Sequence, residues 1–463
     1  MSAIAKGISG KHRIAVIGSG WGGFRLIQGI DTRKFDVTVV SPRNHFVFTP
    51  LLASTAVGTL EFRCVTEPVK RTRVELYEAK CEGIDLVNRT LNCASTLDGF
   101  GPDKFSVPFD SLVITAGAVS NTFGIPGVKE HALFLKDVSD ARKIRSKIME
   151  CFEHASQPNV SDDERAKLLH FAVVGGGPTG VEFMAELHDF ITEDILKLYP
   201  SLKPFVSMTI YDVGKSILGS FDAKLGSYAR ERFMRKGISL RLGEAVSAVH
   251  QTHFTLSGGA RIDYGLLVWS TGVGPVELIK EMTTGERAFA ARDPTMGRLV
   301  TDEFCRVLGK DGVTPLTGVY ALGDCATIKE RALPCTAQVA NQKGVWMYKA
   351  LNRAVKDPSD IAPKFEDAGV TPFQYNHMGS LAYIGKWRAI VDMKDPTTPE
   401  AAGKAEPNPL QNALQFTPNT GVGAWLFWRS AYFTMSVSTK NKIQIPMFWI
   451  LTWIFGRDIS RIK

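Results

Sequence analysis

Two glycine-rich runs carry the first chemical signal. Gly18-Ser19-Gly20-Trp21-Gly22-Gly23 follows the apolar run His12 to Ile17, and Gly175-Gly176-Gly177-Pro178-Thr179-Gly180 follows Leu168 to Val174. In such a turn the first glycine (Gly18, Gly175) allows the sharp bend, and the second (Gly20, Gly177) lets backbone approach a pyrophosphate. The third (Gly23, Gly180) lets the following helix pack against the strand. The helix N-terminus then faces the phosphates with its partial positive charge. One such turn is weak evidence, but two in one chain, each between a strand and a helix, point to two nucleotide sites.

The acids downstream refine this. Asp212 ends the strand after the second turn, where its carboxylate can accept a ribose 2′-hydroxyl and would repel a 2′-phosphate, favouring NADH over NADPH. The matching place after the first turn holds Ser41-Pro42-Arg43 and no acid. Asp324 follows the run Gly318 to Gly323, a position from which it could reach a ribityl hydroxyl or a water on a flavin phosphate. Pro334 to Lys343 should open a helix whose positive end faces the flavin N1 and O2, where a reduced flavin carries negative charge. Two dinucleotides and no metal-ligand pattern imply hydride traffic between a nicotinamide and a flavin.

The elements that must position these residues follow the order strand, turn, helix, strand. Phe24 to Ile30 reads as the first helix and Phe35 to Val40 as the next strand; Val181 begins the second helix and Val206 to Tyr211 is its following strand. Leu112 to Ala118 and Leu266 to Gly272 are buried-looking strands that close each unit, ending at Ala116-Gly117 and at Gly272. The second unit is thus inserted in the first. The expected architecture is α/β: two Rossmann-like dinucleotide-binding domains and a C-terminal amphipathic membrane-anchoring region. The boundaries are 1–140 with 305–375 for the flavin domain, 141–304 for the NADH domain, and 376–463 for the anchoring and dimerisation region. Residues 395–420, rich in Pro, Asn, Thr and Ala, read as a loop or hairpin excursion.

Composition sets outer bounds. The 463 residues are 44% hydrophobic and 22% charged, which is globular and long enough for two or three domains. Lys+Arg 55 against Asp+Glu 47 gives a formal +8. Residues 421–463 hold six basic residues and one acid, so +5 of that excess sits in the tail, and no nucleic-acid module accompanies it. The seven cysteines form no C-x-x-C or zinc pattern and read as reduced thiols, and residues 24–63, after the first turn, contain none of them. That sets the chain apart from disulfide reductases. No signal-peptide core and no run of 18 apolar residues occur. Four of the eight tryptophans nevertheless lie in the tail, and Ile443 to Phe455, too short to cross a bilayer, is flanked by Trp and Arg/Lys suited to a headgroup layer. The expectation is a monotopic membrane protein.

Four segments make a resemblance specific. They are Ser41-Pro42-Arg43-Asn44-His45-Phe46-Val47-Phe48-Thr49-Pro50-Leu51-Leu52, Gly175 to Glu182, Ala337-Gln338-Val339-Ala340-Asn341-Gln342, and Phe455-Gly456-Arg457-Asp458-Ile459-Ser460. From about residue 12 to the C-terminus the chain resembles the type II (alternative, non-proton-pumping) NADH:quinone oxidoreductases of the two-dinucleotide-binding-domain flavoprotein superfamily. The resemblance implies a flavin under Thr49, Pro50 and Leu51, held by the first turn (Gly18, Gly20, Gly22, Gly23) and Asp324. It implies NADH on the second turn, Glu182 beside nicotinamide and flavin, and a ubiquinone-type quinone near Gln338 and Gln342. Those glutamines lie at i and i+4, so both side chains face one way and could hydrogen-bond quinone carbonyls. The flavin is expected to be FAD, with FMN the alternative because Ser41 offers little grip on an adenosine ribose. A homodimer at the mitochondrial inner membrane is expected, with the cytoplasmic face of a bacterial plasma membrane the alternative. Rival functions are a redox-silent flavin-binding accessory subunit of a respiratory assembly and another NAD(P)H-linked flavin reductase.

Overall fold

The structure, a computed structural model, describes residues 10–99, 103–357, 360, 363–395, 419–436 and 438–460. Most of the excursion expected at residues 395–420 lies outside them. The chain forms two compact units. One comprises the chain up to Val47 with Thr66–Val119 and Val273–Asn376; the other comprises Phe48–Val65, Ser120–Gly272 and the chain from His377 onward.

Along the chain, β1 (His12–Ile17), α1 (Trp21–Gly29) and β2 (Phe35–Ser41) open the first unit. β3 (His170–Val174), α2 (Pro178–Phe190) and β4 (Ser207–Asp212) repeat the pattern in the second. The chain then returns to the first unit, which contains α3 (Ala337–Ala354), and ends in the second with α4 (Val422–Met435) and α5 (Thr439–Phe455).

In the first unit β1 pairs in parallel with β2 on one side, from His12↔Phe35 to Ile17↔Val40, and with Ser111–Ile114 on the other. These strands belong to a ten-stranded sheet that also takes in Pro315–Ala321, parallel to Ser111–Ile114. Central parallel strands are covered on both faces, which is why they read as unbroken apolar runs. Ala15, Ile17, Val40, Leu112 and Ile114 accordingly sit in one buried cluster with Phe109 and Val319. In the second unit β3 is flanked in parallel by β4 and by Leu266–Trp269, within a five-stranded sheet. Its apolar face closes over Tyr211, Phe254 and Trp269.

Element ends differ from the sequence reading where side chains cap or interrupt. β3 begins at His170 because Ser161 and Glu164 form a reciprocal capping box that starts a helix running to Leu168. The strand expected to continue to Ala118 ends at Ile114, where Thr115 Oγ1 turns back to donate to Ile17 O (2.8 Å) and Gly18 O (2.9 Å). The helix expected from Pro334 starts at Ala337, capped by Thr336. The tail helix starts before Ile443, at Thr439, because Ser438 accepts from Asn441 N–H. Among the described residues no helix is long and apolar enough to cross a membrane.

Candidate functional site

The first glycine turn is built by close approach. Gly18 has φ +100°, and a Cβ there would lie 2.3 Å from Thr115 O. One on Gly23 would lie 2.2 Å from Gly18 O, so both positions exclude any side chain. Gly20 differs: a Cβ there would meet nothing within 4 Å. It is the N-cap of α1 and makes no side-chain cap, so it supplies no side-chain acceptor to the first-turn N–H groups. Ser41 is buried, its Oγ 2.9 Å from Ser19 Oγ and accepting from Arg43 N–H at 3.2 Å, so it braces the turn.

The second turn repeats this arrangement. Gly175 has φ +115° against Ser270, a Cβ on Gly180 would lie 2.0 Å from Gly175 O, and one on Gly177 would meet nothing within 4 Å. Pro178 occupies the first helical position, where its missing N–H costs nothing. Asp212 stands beside this turn with both oxygens engaged: Oδ2 accepts from Gly176 N–H and Oδ1 from Gly214 N–H at 2.6 Å. Each oxygen keeps a further lone pair for a ribose hydroxyl. The open middle glycines and uncapped helix ends fit dinucleotide phosphates in both units.

Beyond the turns, α2 carries an acid row that sequence reasoning saw only in part. Glu182, Glu186 and Asp189 stand at i, i+4 and i+7 on one helix face, and all three are buried, at 9%, 5% and 1% exposure. Glu182 Oε1 accepts from Tyr383 N–H (3.0 Å) and from the Trp428 indole (3.2 Å). Burial outweighs those two bonds and pushes its pKa up to about 8, so the carboxyl keeps its proton at neutral pH. Glu186 accepts from Ser54 Oγ (2.6 Å) and Thr59 Oγ1 (3.1 Å); burial raises its pKa although Arg457 opposes this. Asp189 goes the other way. Burial raises it, but bonds from His188, Lys236 (3.1 Å), Lys386 N–H (2.7 Å) and the Tyr383 hydroxyl (2.7 Å) hold it below the usual carboxylate range.

Arg457, from the fourth family segment, has its role in the same unit. It donates to Asp194 (2.7 Å), Glu193 (3.3 Å) and Thr59 (2.9 Å). The signal for Glu186 and Asp189 was available as three acids at helical spacing in an otherwise apolar segment. Nothing local announced Tyr383 or Trp428, some two hundred residues away.

The remaining candidates fall in either unit. Thr49, Pro50 and Leu51 form a short 3-10 turn in the second unit, and Leu51 O accepts from Thr55 Oγ1 at 2.7 Å. Pro42, Arg43, Ala116, Gly117 and Asp324 belong to the first unit, and Gly272 to the second. Ala337 is the first residue of α3, and Gln338 follows it, accepting from the Tyr375 hydroxyl. Gln342 is held at both ends of its amide: Nε2 donates to Asn376 O (2.7 Å) and Oε1 accepts from Asn376 N–H (3.0 Å), which leaves one N–H and one lone pair over. It braces the backbone beside α3.

A cavity in the second unit is lined by the tail helices and α2. Trp425, Trp428, Trp449 and Trp453 supply flat apolar walls, and Glu186, Arg429 and Arg457 supply charge.

Two units with this geometry define a pyridine-nucleotide flavoprotein, and comparison with known proteins agrees. Residues 12–344 match the pyridine nucleotide-disulphide oxidoreductase family, and residues 377–458 match the NDH2 C-terminal domain. The internal alternative NAD(P)H-ubiquinone oxidoreductase A1, mitochondrial, of Solanum tuberosum is 40% identical over 98% of this chain and 88% of its own length. A probable NADH dehydrogenase of Dictyostelium discoideum is 39% identical over 97% of this chain and 91% of its own. NDH2 from Plasmodium falciparum, solved in complex with NADH, superposes with a TM-score of 0.84 at 26% identity, covering 97% of this chain and all of that one. The chain belongs to the alternative NAD(P)H-ubiquinone oxidoreductase family, the type II NADH dehydrogenases.

Proposed function

We propose that the chain oxidises NADH with a ubiquinone-type quinone, through bound FAD, without moving protons across a membrane. Full-length similarity to the Solanum tuberosum enzyme carries this reading, because it spans both glycine turns and the tail together. The balance is NADH + H⁺ + quinone → NAD⁺ + quinol. When bound, the flavin accepts a hydride and passes the electron pair to the acceptor.

The chain's own residues bind, orient and hold protons. Gly18, Gly20, Gly22 and Gly23 at the start of α1, with Asp324, receive the flavin; Gly175, Gly177, Pro178, Thr179 and Gly180 at the start of α2, with Asp212, receive NADH. Both helix ends offer N–H groups and a positive dipole to phosphate. Glu182 holds a proton at neutral pH and is the candidate donor to the reduced acceptor. Gln338 and Gln342 shape the wall beside α3, and Gln342 keeps one N–H and one lone pair beyond its two bonds to Asn376 for a quinone carbonyl or water.

The protein is proposed to dock on the mitochondrial inner membrane as a peripheral homodimer, through residues 421–463. Exposed Val422, Leu426, Ile443, Met447, Ile450, Trp453 and Ile454 on the tail helices support this. Anaerobic rapid mixing of the flavin-loaded, detergent-solubilised protein with NADH and then with a short-chain ubiquinone tests the reaction. The flavin band should bleach and then return. Bleaching without return removes quinone as acceptor, and no bleaching removes the dehydrogenase reading altogether.

A further inference from the structure

Glu182 and Asp189 stand two turns apart on α2, about 10 Å along its axis, and one residue of a distant hairpin joins them. Ser380–Tyr383 and Ala389–Asp392 pair antiparallel, with Tyr383 opposite Ala389, and residues 384–388 form the loop between them. Tyr383 meets α2 at both of its ends. Its backbone N–H donates to Glu182 Oε1 (3.0 Å), and its hydroxyl donates to Asp189 Oδ2 (2.7 Å). Its ring packs on Trp428, 5.7 Å between centroids, and the Trp428 indole supplies the second bond to Glu182 (3.2 Å).

The loop that follows Tyr383 has a backbone that local sequence does not favour. Gly385, Lys386 and Trp387 have φ +84°, +49° and +60° in succession. For the two non-glycines this left-handed region is strained, and such strain persists where the surroundings hold it. Asp189 does the holding. Besides the Tyr383 hydroxyl it accepts from Lys386 N–H (2.7 Å) and Lys236 Nζ (3.1 Å), and Lys236 also donates to Ile384 O (3.4 Å). A Cβ on Gly385 would lie 2.0 Å from Lys236 Nζ, so only glycine lets the ammonium sit against the loop. The Asp189 and Lys236 side chains are 1% and 6% exposed, and loss of either partner would leave a buried charge unpaired.

Charge alone does not link Asp189 to Glu182, because Lys236 compensates it. The titratable groups that face Glu182 are Glu186 on α2, Tyr383 on the hairpin and Tyr432 on α4. Arg429 and Arg457 act on Glu186. Asp189 is faced by His188 and Glu186 on its own helix, and by Lys236, Tyr383 and the Lys386 backbone. The link from Asp189 to Glu182 is therefore mechanical, and it runs through Tyr383.

Resting on Glu182 as the proton donor in the NADH–quinone reading, we propose that Asp189 is its positioning residue: through Tyr383 it holds the hairpin loop against α2, which keeps water from the Glu182 carboxyl. Release of the loop would admit water. Burial is the largest influence raising Glu182, ahead of the opposing Tyr383 N–H bond, so hydration would bring the carboxyl back toward its ordinary range.

The test uses the flavin-loaded full chain in detergent, as wild type, Tyr383→Phe, the double variant Asp189→Asn with Lys236→Met, and Glu182→Gln. The double variant removes one charge of each sign and leaves the net charge as it was. The infrared C=O band of a protonated carboxyl, assigned to Glu182 by its absence from Glu182→Gln, reads the titration without turnover. The pH limb of the flavin's return with a short-chain ubiquinone reads it during turnover. We expect the midpoint to fall from about 8 by about one pH unit or more in the double variant and by less in Tyr383→Phe, with the return at pH 7 slowed roughly twofold in the double variant. A midpoint that stays at about 8 in both variants overturns the proposal even if Tm falls, since support of the fold alone would not move it. A wild-type band that titrates in the ordinary carboxylate range overturns it too. If the double variant does not fold, Tyr383→Phe, which loses only a hydroxyl, decides by the same midpoint. If the band titrates near 8 but the flavin's return shows no pH limb, the proton-donor reading fails alone, and the infrared midpoints still decide the role of Asp189.

Discussion

At Glu182 a carboxyl is held in its neutral form by burial, and this has a pH consequence. Its folded pKa near 8 lies above the ordinary 4.5, so the native state holds a proton that the unfolded chain releases between those values. The associated stability is full below about pH 4.5 and is lost as pH rises through 8. The slope amounts to roughly 5 kcal/mol across that window, at 1.36 kcal/mol per unit. Denaturation of wild type and Glu182→Gln at pH 5 and pH 9 should therefore show a smaller decline in the variant, which has no proton to lose. Equal declines would mean that Glu182 titrates normally. In the rapid-mixing experiment the return of the flavin band with quinone should slow above about pH 8 in wild type, and Glu182→Gln should be slower at pH 7 with that limb absent.

At the scale of elements, the two glycine turns separate fold from ligand. Gly180→Ala would force a methyl against Gly175 O at 2.0 Å, whereas Gly177→Ala meets nothing within 4 Å. The first should destabilise by about 2 kcal/mol or more, read as a drop in Tm. The second should keep its Tm and raise the NADH KM by about tenfold, because the methyl stands where phosphate approaches backbone. A similar argument applies to α3, where Gln338, Gln342 and Trp346 lie four residues apart and tie down Tyr375, Asn376 and Thr371 in turn. Gln342→Ala should cost about 1–2 kcal/mol and leave the NADH KM unchanged. Turns of this kind are legible in sequence because a tight bend, a close approach and a helix start are all decided within ten residues. The acid row on α2 was half legible, since helical spacing gives a shared face but not whether that face is buried. Ser41's brace on Ser19, the Asn376 clamp on Gln342 and the indole bond from Trp428 to Glu182 were not legible, because each depends on which distant segment tertiary packing brings alongside.

For the whole molecule, the question is where the excess charge and apolar surface end up. The tail carries +5 of the formal +8, and its helices leave Ile443 and Ile450 65% and 57% exposed. Two isoleucines one heptad apart share a face of α5, and water-exposed apolar residues at that spacing have an unmet hydrophobic contribution that a bilayer interface could supply. Replacing both with glutamate puts negative charge where anionic lipid would approach, so attraction from the basic residues is opposed as well. Ile443→Glu with Ile450→Glu should therefore shift the protein from vesicles of phosphatidylcholine and cardiolipin into the supernatant on sedimentation, with Tm changed little because neither side chain is packed. Raising salt should weaken wild-type binding only partly, since screening acts on the charge term and leaves apolar burial intact. If the double variant sediments with vesicles as wild type does, the tail's exposed face serves a protein contact instead, and a dimer lost in the same variant on size-exclusion chromatography would identify that contact as a second copy of the chain.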